Sequence, residues 1–76
     1  MKALLETLAR ALVSEPRRVR VSERGEPGCV QFELEVAPQD RGRVIGRQGR
    51  TADELRTLLG AVARHRDTRC RVEIVE

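Results

Sequence analysis

The sequence predicts an α+β domain with elements in the order α-β-β-α-α-β, a three-stranded mixed sheet carrying three helices on one face. Three observations predict it. Apolar residues recur at three- and four-residue spacing near the start of the chain and again before its last ten residues, the period of helices. Three other segments alternate apolar and polar side chains, the period of strands. Prolines and glycines separate these segments at Pro16, Pro27-Gly28, Pro38 and Gly46. At 76 residues, one domain spanning 1–76 is the ceiling.

Residues 2–15 form the first predicted helix. Leu4, Leu5, Leu8, Ala9, Leu12 and Val13 make its apolar face, and Lys2, Glu6 and Arg10 stand at i, i+4 on the other. Pro16 is expected to stop it. Residues 17–23 alternate as a half-buried strand, basic on one side. Ser22 to Gly28 reads as a turn, with Pro27-Gly28 at the centre of a type II geometry. In residues 29–37, Val30, Phe32, Leu34 and Val36 point inward, so strands one and two form an antiparallel hairpin.

Pro38 ends that strand. Asp40 is placed to cap a short helix, 41–45, with Gly46 just past its end. The next helix runs to about residue 65 on a stripe of Leu55, Leu58, Leu59, Val62 and Ala63. Thr51-Ala52-Asp53-Glu54 has the pattern of a capping box, which would begin the helix at 52. Gly60 inside a helix costs about 1 kcal/mol relative to alanine, so a close packing contact is expected there. Residues 66–69 turn, and 70–75 alternate with Cys70, Val72 and Ile74 inward. A crossover between the second and third strands makes them parallel. The predicted sheet order is therefore 1-2-3.

Composition excludes several functions. The chain has one phenylalanine and neither tryptophan nor tyrosine. Recognition of bases on a platform of two or three rings is therefore ruled out. No apolar run approaches the roughly 18–20 residues that span a membrane. Glu6 and Arg10 interrupt the N-terminal apolar stretch, which is not a signal peptide. No membrane association and a cytoplasmic location are the expectation.

Charge is unevenly spread. Residues 41–50, RGRVIGRQGR, hold Arg41, Arg43, Arg47 and Arg50, three glycines and no acid. The other 66 residues carry 11 basic and 12 acidic side chains, so the whole net charge of +3 and one unit more lie in this segment. Positive charge concentrated on a backbone that allows close approach suits a polyanion.

Within it lies Gly46-Arg47-Gln48-Gly49. A bare GxxG arises by chance about 0.4 times in a chain this long at ~7% glycine, and by itself reads as a helix-turn-helix corner. Here it follows the anchoring pair Val44-Ile45, joins two predicted helices and is flanked by arginines. Two glycines let a phosphate approach the main chain. The following helix offers its N-terminal amides and positive dipole end. Arg47 and Gln48 extend outward, and Arg43 and Arg50 lie within a turn on either side.

VIGRQGR (44–50), in this element order, resembles the VIGxxGR core of KH domains, and the αββααβ order resembles their type II arrangement. A whole chain of this kind resembles the small bacterial KhpA family of stand-alone KH proteins. The resemblance implies binding of single-stranded RNA, with Gly46, Arg47, Gln48 and Gly49 clamping the backbone of about four nucleotides. Bases would lie in an apolar groove between the helix of 41–45 and the sheet edge, with Val44 and Ile45 as groove wall or core. Thr51 departs from the family pattern, which usually has an aliphatic residue there. The resemblance further implies self-association, pairing with a larger Jag-type KH protein, and a role as RNA chaperone or post-transcriptional regulator of growth and cell shape.

Other residues read as structure. Cys29 falls on the outward phase and Cys70 on the inward one, which argues against a disulfide. No C-x-x-C and a single histidine argue against a metal site. His65 stands at a helix C-terminus and Asp53-Glu54 in a first turn, where each complements the dipole. Arg17, Arg18, Arg20, Arg69 and Arg71 are expected to pair in part with Glu33, Glu35 and Glu73. No nucleophile-base pair or nucleotide fingerprint is assembled, and no cofactor or enzymatic activity is expected. RNA binding is the leading expectation; the alternative is a protein-interaction module, a homodimer or a heterodimer with a Jag-type partner, in which RNA is secondary.

Overall fold

Strands β1 (Arg20–Glu26) and β2 (Cys29–Glu35) pair antiparallel, and β3 (Arg69–Ile74) lies parallel on the far side of β2, in the order β1-β2-β3. The computed structural model describes residues 1–75. Helices α1 (Lys2–Leu12), α2 (Arg41–Ile45) and α3 (Arg50–His65) cover the sheet, with short 3-10 turns at Pro16–Arg18, Pro38–Asp40 and Arg47–Gly49. Element order, strand order and both strand directions are those the sequence predicts.

The core follows from the alternation of β2. Phe32 and Leu34 are fully buried, and Leu5 and Ala9 of α1, Val44 of α2, Leu59 of α3 and Val72 of β3 close over them. Phe32, with neither tryptophan nor tyrosine beside it in the sequence, is the largest of these side chains.

Several local expectations are corrected. Helix α1 ends at Leu12, three residues short of the stretch predicted. The reason is Asp40. Its carboxylate accepts hydrogen bonds from the Ser14 amide (2.9 Å), the Ser14 hydroxyl (2.7 Å) and the Glu15 amide (3.1 Å). Those amides would otherwise continue the helix. For the same reason Asp40 does not cap α2: it holds the N-cap position but makes no side-chain cap bond.

Strand β1 starts later and runs further than predicted. Pro16–Arg18 is a 3-10 turn, and the strand continues to Glu26, leaving Pro27-Gly28 as a two-residue connection. Gly28 at φ +81° fits the third position of a type II turn. From Ser22 onward every residue of β1 is exposed, so no alternation marks it.

Helix α3 starts at Arg50, directly after Gly49, and not from a capping box at 51–54. Its buried stripe is Ala52, Leu55, Leu59 and Ala63, while Leu58 is turned outward at 44% exposure. Gly60 makes no close packing contact; a Cβ there would meet only Arg64 Nη1, at 3.8 Å. Arg56 ties α3 to β3 by donating from Nε to the Val72 carbonyl oxygen at 3.1 Å. Glu33 pairs with Arg24 at 3.4 Å, and not with the arginines named for it. Among the described residues, Arg17, Arg18, Arg20, Arg69 and Arg71 make no ion pair.

Candidate nucleic-acid interface

The site is built outward from Val44. Its side chain is fully buried, which pins the short helix α2 to the core and fixes where the chain leaves it. Ile45 is half-buried beside it. Gly46 then ends the helix at φ 77°, ψ 171°, its amide donating to the Gly42 carbonyl at 2.9 Å. An L-residue avoids that backbone region. A Cβ on Gly46 would also lie 2.7 Å from both the backbone nitrogen and the Cβ of Thr51, with the Thr51 hydroxyl closer still. Thr51 therefore fills the space behind the loop, which accounts for its side chain at this position.

From Gly46 the chain makes one tight 3-10 turn. The Gly49 amide donates to the Gly46 carbonyl at 3.1 Å, and the Arg50 amide to the Arg47 carbonyl. The first amide of α3 is thus spent inside the loop and is not among the free N–H groups expected there. Gln48 adopts φ 58°, ψ 27°, a left-handed conformation that is uncommon outside glycine. Gly49 follows at φ 77°, ψ 9°, and apart from its chain neighbours no atom of the described residues lies within 4 Å of where its Cβ would be. One face of the loop is open bare backbone.

Of the residues singled out from the sequence, Arg43, Arg47, Gln48 and Arg50 are exposed, Ile45, Gly46 and Gly49 are half-buried, and Val44 is inside. Groove wall and core were the two roles expected of Val44; burial assigns it to the core. Arg43 is held by Asp40, Nε to Oδ1 at 3.5 Å, while 61% of its side chain stays exposed. Asp40 itself is fully buried. Hydrogen bonds from the Ser14 amide and hydroxyl and the Glu15 amide, with Arg43 nearby, hold its carboxyl below the ordinary 3.8 despite the opposing push of burial.

A concavity beside the loop lies on the outer face of α3, lined by Gln48, Arg50, Asp53, Glu54, Thr57 and Leu58 among others. Sequence periodicity placed Leu58 in the core and so missed this surface. A second, apolar hollow between α1 and α3 is lined by Leu8, Leu12, Thr51, Leu55 and Leu58, of which Leu12 is 36% exposed. No helix among the described residues is long and apolar enough to cross a membrane.

The αββααβ order, the parallel β2–β3 pair and a GxxG turn between α2 and α3 define a KH domain of the type II arrangement. Comparison with known proteins narrows this. The family model described as KhpA/KhpB, KH domain, matches residues 2–74. RNA-binding protein KhpA of Halalkalibacterium halodurans is 46% identical over 76 residues, the full length of both chains. That of Clostridium acetobutylicum is 48% identical over 75 residues, 99% of this chain and all of its own. That of Listeria monocytogenes EGD-e is 37% identical over 76 residues, again the full length of both. No solved structure gives a significant match. The chain belongs to the KhpA/KhpB KH-domain family.

Proposed function

We propose that residues 1–76 act as one KH domain that binds single-stranded RNA through the loop Gly46-Arg47-Gln48-Gly49. The observation that carries this is the open backbone over Gly49, bounded by the exposed side chains of Arg47 and Gln48. A phosphate can approach bare main chain there while two donor side chains close on it. Arg43 and Arg50 supply further positive charge, and Ile45 offers an aliphatic surface for bases beside α2. The name RNA-binding protein KhpA, borne by full-length relatives, supports the same reading. In the cell this fits a cytoplasmic RNA chaperone or post-transcriptional regulator.

The double variant R47D/Q48D tests it. Both side chains are exposed, so the melting temperature should stay at the wild-type value while binding to a fluorescent single-stranded RNA is abolished. Wild-type affinity in the folded variant would sink the loop assignment.

The apolar hollow between α1 and α3 favours a second, protein-binding role, with another copy of the chain or a larger Jag-type KH protein seated there. Pairing raises the weak affinity of a single module through effective concentration. Sedimentation at micromolar concentration with and without RNA separates the roles. A stable dimer indifferent to RNA supports pairing; a strict monomer that binds RNA tightly counts against it.

A further inference from the structure

At the opposite end of α2 from the loop, the structure brings Arg41 against three arginines that are neighbours in the sequence. Arg17, Arg18, Arg20 and Arg41 line one pocket of ≈ 270 Å³, with Glu35 as the acid on its rim. Glu35 faces Arg20 across the β1–β2 pair, yet no ion pair within 4.0 Å joins it to any of the four among the described residues. Arg17, Arg18 and Arg20 are exposed; Arg41 is half-buried. The Nε–H of Arg41 is sealed from solvent and has no acceptor among the described residues. A buried donor left without a partner is costly to hold. An anionic oxygen in this pocket would lower the mutual repulsion of four guanidinium groups, and it is the kind of acceptor that donor lacks.

We infer that this cluster is a second phosphate site, taking a phosphodiester of the RNA strand beyond the nucleotides held by the loop. Arginine forks match phosphate oxygens bidentately, which is why the cluster suits a phosphate better than a lone carboxylate. The two sites sit at the two ends of one five-residue helix. A five-residue helix is only about 8 Å long, so one strand can reach both. The inference rests on the reading of the loop as an RNA clamp, and it makes the footprint longer than the loop alone provides.

The test compares RNA of about four nucleotides, the reach of one GxxG clamp, with RNA of roughly twelve. Binding is followed by fluorescence anisotropy across a salt series. The triple variant R17Q/R18Q/R20Q should lose about tenfold in affinity for the long RNA, and its log–log salt slope should fall by about 0.7, the release expected from one lost phosphate contact on a single strand. Affinity for the short RNA should not change. The charge-preserving R17K/R18K/R20K should keep the wild-type salt slope while losing the part of the long-RNA affinity that the bidentate forks supply, which separates charge loss from disturbed folding. If the glutamine variant, folded by circular dichroism, matches wild type on the long RNA, the second site is wrong. Should R47D/Q48D retain RNA binding while the glutamine variant loses it, the loop reading fails, and with it the placing of this cluster as an extension of the loop's footprint. Titration with inorganic phosphate alone gives the remaining arm: saturable binding at Arg41 Nε–H by NMR, with no dependence on RNA length, assigns the pocket to a free anion and overturns the strand path.

Discussion

A methyl group added at Gly46 would collide with the main chain of Thr51, whereas one added at Gly49 would meet open space. Both glycines have positive φ, so both alanine variants are strained. Gly46→Ala adds a backbone clash in a region nearly restricted to glycine and should cost roughly 2–4 kcal/mol. Gly49→Ala should cost only about 1–2 kcal/mol. Urea denaturation of the two variants checks the order; an equal cost would mean Thr51 does not brace the loop. Asp40 gives a pH dependence. Because its carboxyl is held below the ordinary 3.8, its contribution to stability is fully present above that value and is lost as pH falls through the lower, folded value. The urea midpoint of the wild type should therefore drop between neutral pH and about pH 3 by more than that of Asp40→Asn. The variant should start from a lower midpoint at neutral pH, since an amide cannot serve three donors as a carboxylate does.

The elements read well where one face meets the core and poorly where it does not. Strand β2 was legible in full because Val30, Phe32, Leu34 and Val36 alternate against charged neighbours. The outer half of β1 was not, because residues exposed on both sides leave no period to detect. The end of α1 was set by Asp40, 26 residues from Ser14, a distance over which local pattern carries no information. In α3 the leucines at 55, 58 and 59 all fit a helical stripe, and only packing decides which of them is left outside. The loop was the reverse case: its glycines, arginines and Val44 anchor are contiguous, so the candidate site was visible in one stretch, while the pocket of Arg17, Arg18, Arg20 and Arg41 needed the fold to assemble it. Gly60 yields a prediction at this scale. With its Cβ position free of close contact, Gly60→Ala should stabilise the domain by about 1 kcal/mol through helix propensity alone. A thermal melt should rise by roughly 4–8 °C. An unchanged or lowered melting temperature would point to a packing role for Gly60 after all.

Across the whole molecule, the positive charge is organised about α2, with arginines at both of its ends and in the loop that follows it. The outer face of α3 is of mixed sign, where Asp53 binds Arg56 and Glu54 lines the concavity beside the loop together with Arg50. On the proposed reading, a phosphate backbone follows α2 from one end to the other. Binding should accordingly weaken with salt at a log–log slope of roughly −2 to −3 if three or four phosphates are neutralised at the loop, and more steeply if the second site is engaged. A slope near zero would exclude backbone recognition. The tip of the β1–β2 hairpin stands apart from this charge pattern. From Ser22 to Gly28 its residues are exposed, and none of them belongs to the core cluster. That makes the Pro27-Gly28 tip a natural place for a fluorophore, an affinity handle or an inserted peptide: a reporter attached there would travel with the sheet and leave the face proposed to meet RNA untouched.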